Sequence, residues 1–322
     1  MFDFVRQRAL FYFVSALIIV PGLISLVLPG GLRPGIDFTG GTVMTLSFEH
    51  PVQEDALRDA FSRSGHAEAV VQHTPGTNDF VVRTRPLVQA VQSSDGSVGL
   101  SEQQQLEATL TQEFGPLQVL NLDQVSPLIA VEIVRDAIVA VGAASAFILL
   151  YLWWAFRASA DPWSYGSAAI AGLLHDAFAV LGLFSILGRI FGIELESTFI
   201  VAVLTVIGFS VHDSIVVFDR VRENLVRRAG EPFGEIVNHS ILQTLTRSLN
   251  TTLTVVLTLL VVTLFGGTSV RPSVLAILLG ISAGGYSSIF FSGMLLVSWR
   301  IGELRRLLFF LPDRRLRVFS RA

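Results

Sequence analysis

Six long apolar stretches dominate the pattern along the chain, with polar segments between them: Ala9–Leu28, Ala137–Phe156, Tyr165–Leu187, Phe199–Phe218, Leu249–Phe265 and Val274–Trp299. A bilayer core takes about 20 apolar residues per helix, so each stretch predicts a transmembrane helix. The first is too long for the apolar region of a signal peptide, and no small-x-small cleavage site follows it. It is expected to be an anchor, kinked at Pro21.

The polar interval after the first stretch has other periods. Met44, Leu46 and Phe48 alternate with Thr45, Ser47 and Glu49, which predicts a half-buried strand. Val52, Ala56, Leu57, Ala60 and Phe61 recur at helical spacing, and Gly65 ends that helix. Ala69–His73 and Phe80–Thr84 are β-rich runs flanking Thr74-Pro75-Gly76-Thr77-Asn78, a hairpin signal. Residues 86–99 are Ser/Gly-rich and expected to be mobile. Ser101 with Gln104 makes a capping box. Leu106, Leu110 and Phe114 follow on one face, Gly115 supplies the stop, and Leu117–Val125 is a last strand. The order βαββαβ is that of the ferredoxin-like split-βαβ arrangement. The expected architecture is a membrane α-helical bundle of six transmembrane helices with one α+β ferredoxin-like domain outside the membrane. Residues 1–30 form the first helix, 31–127 the outer domain, 128–300 helices two to six, and 301–322 a basic tail.

Composition agrees. Of the 322 residues, 51% are hydrophobic and 15% charged, against about 25% charged in soluble domains. Mean hydropathy is +0.61. Residues 31–127 hold 5 Arg and 12 acidic residues, net −7, whereas the other 225 hold 18 Arg and 14 acidic residues, net +4. Arginines flanking short loops set orientation. Arg6 and Arg8, Arg157, Arg220, Arg222, Arg227 and Arg228, and seven Arg after residue 299 fall on one side; Arg189 and Arg271 fall on the other. Both termini are therefore expected inside and residues 31–127 outside. With no cysteine, disulfides, thiolate metal sites and cysteine nucleophiles are excluded. No metal, nucleotide or triad pattern marks the outer domain. Its His50, His66 and His73 are scattered and expected in ordinary surface roles.

Ionisable groups inside spans cost roughly 2.5–3.5 kcal/mol each on insertion scales and are functional candidates by default. His175 and Asp176 lie in the third span, His212 and Asp213 in the fourth, and Arg247 at the start of the fifth. Ile241, Leu242 and Leu245 precede Arg247, so its helix can begin earlier and bring Arg247 to the depth of Asp213. An Asp whose charge is governed by a movable Arg is what a proton relay requires; a fixed structural ion pair is the alternative. His175–Asp176 reads either as helix-packing hydrogen bonds or as a secondary site. Glu132, Arg135 and Asp136 read as interfacial, with Glu132 and Arg135 spaced to pair. Gly280, Gly284, Ser288 and Ser292 form a small-residue stripe for close helix approach. The charged segment Asp219–His239 reads as a solvated amphipathic connection, and the Arg-rich tail as a positive flank or a lipid contact.

Several motifs resemble one family. Gly35-Ile36-Asp37-Phe38-Thr39-Gly40-Gly41 resembles the opening signature of the outer part of SecD and SecF proteins. Ile207-Gly208-Phe209-Ser210-Val211-His212-Asp213-Ser214-Ile215-Val216-Val217-Phe218-Asp219, followed by Arg220-Val221-Arg222-Glu223-Asn224, resembles the fourth-span motif of SecF. Leu174-His175-Asp176, Leu245-Thr246-Arg247-Ser248 with Asn250-Thr251, and Gly285-Tyr286-Ser287-Ser288-Ile289-Phe290 fit spans three, five and six. The resemblance to the SecF family, within the resistance-nodulation-division superfamily, covers the whole chain in order. It implies a non-enzymatic subunit without cofactor, multi-pass in the bacterial inner membrane, with residues 31–127 periplasmic or extracellular. It implies pairing with a SecD-like subunit, work with the SecYEG channel on unfolded preprotein, and use of the proton motive force; no nucleic acid is implied. By motif, Asp213 and Arg247 take the proton-linked positions. His212 stands where the family usually has Asn, and it either joins the relay or replaces an amide hydrogen bond. Two other functions compete. One is half of a proton-driven small-solute or lipid exporter, for which the small outer domain leaves little room for a pocket. The other is a scaffold whose buried charges only hold the bundle.

Overall fold

The computed structural model describes residues 2–74, 76–88, 100–157, 161–267 and 270–303. Residues 89–99 of the Ser/Gly-rich segment, Pro75 of the expected turn and residues 304–322 of the tail lie outside the described residues. The chain divides into two compact units, Pro34–Ile138 and Met1–Arg33 with Val139–Ala322. The division at Ile138 falls past the expected boundary at 127 because one helix, Pro127–Phe156, starts a single residue after the last strand and runs across it.

In the first unit a four-residue helix α2 (Ile36–Thr39) leads into β1 (Gly41–Phe48), α3 (Glu54–Arg63), β2 (Val70–His73), β3 (Asp79–Thr84), α4 (Glu102–Phe114) and β4 (Leu117–Val125). The strands form one sheet in the order β2-β3-β1-β4, with every neighbouring pair antiparallel. The β1 alternation holds: Met44, Leu46 and Phe48 are buried against Leu57, Ala60 and Phe61 of α3 and Leu106 and Leu110 of α4. Ala56, placed on the same helical face by spacing, is exposed. The Ser101 capping box is formed on both sides, through Ser101 Oγ to the Gln104 amide and the Gln104 side chain to the Ser101 amide. The Gly40-Gly41 pair is required by its backbone. Gly40 ends α2 at φ +71, where a Cβ would sit 3.0 Å from Pro127 Cα. Gly41 opens β1 at φ +137, where a Cβ would sit 2.9 Å from the Thr84 carbonyl oxygen.

The second unit holds α1 (Arg8–Val27), the part of the long helix α5 (Pro127–Phe156) beyond Ile138, and the long helices α6 (Pro162–Phe191), α7 (Thr198–Arg227) and α8 (Phe233–Phe265). The sixth span comprises α9 (Arg271–Tyr286), a π-helical segment Ser287–Phe291 and α10 (Ser292–Ile301). All six are long and apolar enough to cross a membrane. At 1.5 Å per residue, a 30-residue helix such as α6 is about 45 Å long, so the apolar stretches mark only the middle of each helix. The largest difference from expectation is Asp219–His239. It is helical except for residues 228–232, because Arg222–Asp219 (3.0 Å), Arg227–Glu223 (2.7 Å) and Arg220–Glu223 ion pairs sustain α7 to Arg227. Gly230, at φ +101, and Pro232 then turn the chain into α8.

Between helices in a membrane, packing rests on close backbone approach rather than on the hydrophobic effect. At the α1/α6 crossing, a Cβ on Gly22 would lie 2.7 Å from Gly182 Cα. Arg189 fixes the end of α1 by donating to the carbonyls of Ser25 (3.1 Å) and Leu28 (2.7 Å), which the helix leaves unpaired. Of the small-residue stripe, Gly280 meets Val180 and Val206, and Gly284 meets Ser210 and Asp176.

Candidate functional site

The intramembrane polar residues gather around α7. Asp213 is buried, and its Oδ2 accepts a hydrogen bond from Thr252 Oγ1 of α8 at 3.4 Å. Thr252 is held against α9, since a Cβ on Gly285 would come within 2.6 Å of its Cγ2. Because α8 begins at Phe233, Arg247 lies within the helix, as the apolar residues before it suggest. Arg247 forms no ion pair with Asp213, whose hydrogen bond comes from Thr252. Its side chain is exposed in a cleft of about 410 Å³ lined by Val216, Asp219, Glu223 and Gln243. His212 is exposed as well, on the flank of α7 beside the buried Asp213, and no hydrogen bond joins the two.

The second polar group sits one turn earlier along α7. Asp176 and His175 of α6 are both buried, with His175 Nδ1 3.0 Å from Asp176 Oδ1. The Ser210 hydroxyl of α7 donates to Asp176 Oδ2. Ser210 and Thr252 are the two residues that sequence reasoning missed. A serine or threonine in an apolar helix carries no strong signal by itself, and only its place on a seam reveals its use.

In the other unit the motif glycines have backbone roles. Gly35 precedes α2 and its carbonyl accepts from the Phe38 and Thr39 amides, while Asp37 stands in the first turn of α2. Arg135 pairs with Asp136 at 2.9 Å, not with Glu132 as its spacing suggests; all three are exposed near the start of α5. His66 departs from the expected surface role and is wholly buried. Its Nδ1 lies 2.8 Å from Thr84 Oγ1, which donates to Glu68 Oε1 at 3.0 Å, so the ring is the donor to the threonine. Burial first, and then the Arg85 guanidinium, hold His66 below the usual imidazole range. Glu68 is held below the usual carboxylate range by its own backbone amide, with the Thr84 hydroxyl adding to it. Glu102 is also held low: burial opposes this but is outweighed by the Val88 amide and Arg85. Among the described residues no cluster of three or more His, Cys, Asp or Glu is placed to hold a metal ion.

The family described as "Protein export membrane protein SecD/SecF, C-terminal" matches residues 105–301, and the "SecD/SecF GG Motif" matches residues 30–52. The chain is 46% identical to the protein translocase subunit SecF of Thermobaculum terrenum, over 95% of this chain and 96% of that protein. It is 37% identical to the SecF of Anaerolinea thermophila over the same shares. Among solved structures, it resembles the crystal structure of the translocon-associated membrane protein SecDF from Thermus thermophilus. The TM-score is 0.74 at 35% identity, covering 93% of this chain and 38% of that one.

Proposed function

The chain belongs to the SecF family of protein translocase subunits, and from that premise we propose that it is the SecF-type subunit of a proton-driven accessory complex for protein export. In this reading it promotes preprotein translocation across the bacterial inner membrane together with the SecYEG channel, and it carries no hydrolytic activity or cofactor. The observation that carries the reading is the setting of Asp213: a buried carboxylate whose hydrogen bond comes from Thr252, with Arg247 nearby on the exposed side and unpaired to it. Protonation of Asp213 removes a buried charge, and deprotonation restores an attraction for Arg247, which lines a cleft with Ile215 and Val216 of the same helix α7. The two states favour different packings of α7 against α8, and that difference is what a proton flux can drive. His212, exposed on the flank of α7, is read as a further member of this relay.

A SecD-like subunit is the partner that fits. SecDF relatives join both parts in one polypeptide, and this chain spans 37% of the SecDF of Thermus thermophilus. In addition, His212, Arg247 and Asn250 are exposed within spans. In lipid they cost several kcal/mol, so another membrane protein is needed over this face. The arginine distribution supports both termini inside and the sheet unit outside. The element order and the strand order β2-β3-β1-β4 support a ferredoxin-like assignment for that unit. The size of the same unit argues against a solute exporter.

The test is reconstitution of this chain with its SecD-type partner and SecYEG in vesicles. Imposing a proton gradient should raise the completed export of a preprotein. Equal export with and without the gradient would refute the proposal.

A further inference from the structure

The His175–Asp176 pair is a second buried polar group that the Asp213–Arg247 relay does not use. Every group around Asp176 can be assigned. Its Oδ1 faces His175 Nδ1 at 3.0 Å, and its Oδ2 accepts from Ser210 of α7. A Cβ on Gly284 of α9 would lie 3.5 Å from that same Oδ2. Among the described residues no arginine stands within ion-pair distance of it. His175 is only 1% exposed, and its Nε2 has no hydrogen-bond partner. Its ring lies against Phe291 at 4.8 Å and Tyr286 at 6.3 Å, on the π-helical segment and the residue before it. Tyr286 uses its own hydroxyl elsewhere, donating to the Phe11 carbonyl at 2.6 Å. Here one nitrogen holds the carboxylate and the other is unsatisfied, so the pair has an unfilled place for one proton.

The two carboxylates are also connected. Ser210 and Asp213 lie three residues apart on α7, the first bonded to Asp176 and the second bonded to Thr252. On α9 the consecutive Gly284 and Gly285 touch these two arrangements respectively, Gly284 against Asp176 and Ser210, Gly285 against Thr252. The π-helical segment starts two residues later, at Ser287. Such insertions are concentrated at functional sites, where they allow a local change of helical register. A shift of α9 at this point reaches both carboxylates.

We propose that His175 and Asp176 form a second proton-binding site, in series with Asp213 across the Gly284–Gly285 pair of α9. The proton enters at His175 Nε2, giving an imidazolium paired with the Asp176 carboxylate; no other bond changes. Filling and emptying this site alters the charge that Ser210 and α9 pack against. The inference rests on the proton-driven reading of the chain for its role in export, but the site itself is observable without export.

The experiment uses the full chain with its SecD-type partner and pH-difference infrared spectroscopy in the Asp213→Asn background, which removes the carboxylate of the relay. Acidification should produce carboxylate and imidazole difference bands. The imidazole band should be lost in Asp213→Asn with His175→Gln, whose amide keeps a donor near Asp176 but cannot take up the proton, and displaced in midpoint in Asp213→Asn with Asp176→Asn, where the imidazolium has lost its counter-charge. If the Asp176 variant fails to assemble, loss of the imidazole band in His175→Gln decides. Bands indifferent to both substitutions, or an imidazole band that survives His175→Gln, would overturn the proposal. Gradient-dependent export by the wild-type complex is measured in parallel. Its loss would sink the export reading, whereas intact export without these bands would sink only the second site.

Discussion

Gly285→Ala places one methyl group where the seam between α8 and α9 has no room. The new Cβ would stand 2.6 Å from Thr252 Cγ2 and 2.9 Å from Thr252 Oγ1, against 3.4–4 Å for ordinary contact. One side must give by most of an ångström. The movable party is Thr252, whose hydroxyl holds Asp213 at 3.4 Å, a length with no slack. Overpacking of this size costs about 1–3 kcal/mol, which is roughly a fivefold to 150-fold fall in the folded-to-unfolded ratio at 1.36 kcal/mol per decade. The assay is unfolding of the purified full chain in detergent, followed by the loss of helical circular dichroism, for Gly285→Ala, Thr252→Ala and the double variant. Thr252→Ala removes both close atoms and leaves only Thr252 Cβ at 3.3 Å. The double variant should therefore recover at least about 1 kcal/mol relative to additivity, within the range seen for touching residues. Additive effects, or a Gly285→Ala cost below about 0.5 kcal/mol, would show that the seam is not packed as described.

Three further outcomes follow from the structure. Gly41→Ala, at φ +137 and 2.9 Å from the Thr84 carbonyl oxygen, should destabilise the sheet by about 1–3 kcal/mol, read as lost amide-exchange protection in β1 and β3. His66, Glu68 and Glu102 all bind protons less readily folded than unfolded, so acid should weaken this unit. Protection of α4 amides in the full chain should begin to fall as pH drops below about 6.5, the ordinary imidazole value, and fall further below the carboxylate range; His66→Phe should remove the first stage. Single cysteines at Asp55 and Glu231, both exposed, should react with an impermeant thiol reagent from opposite faces of the membrane; labelling from one face would refute the six-span arrangement.

The chain discloses its spans because six apolar runs have no alternative home, and it discloses the β1 strand and the α4 cap because their signals are local. What it hides depends on neighbours. The ends of α7 and α8 read as a polar loop, since the ion pairs of Glu223 with Arg220 and Arg227 look like solvated charge until they are seen to be helical. His66 looks like one scattered histidine among three, and only folding brings Thr84 and Glu102 around it. Asp213 and Arg247 are both legible as costly intramembrane charges, but their separation is not. Residue spacing fixes depth along a helix, whereas the direction of each side chain is set by the partner helix. The same holds for Ser210 and Thr252, small polar residues whose carboxylate partners come from helices distant in sequence.

If Asp213 carries protons in exchange for movement, Asp213→Asn should break the coupling while leaving the fold intact. An amide is cheaper to bury than a charge, so the variant should insert and assemble with its SecD-type partner as well as the wild type. The measurement is preprotein export per assembled complex in vesicles, with and without a proton gradient. Normal assembly, unchanged gradient-independent export, and loss of the gradient-dependent increment are expected. Gradient-dependent export at the wild-type level in Asp213→Asn would contradict this role and leave Asp213 a structural residue.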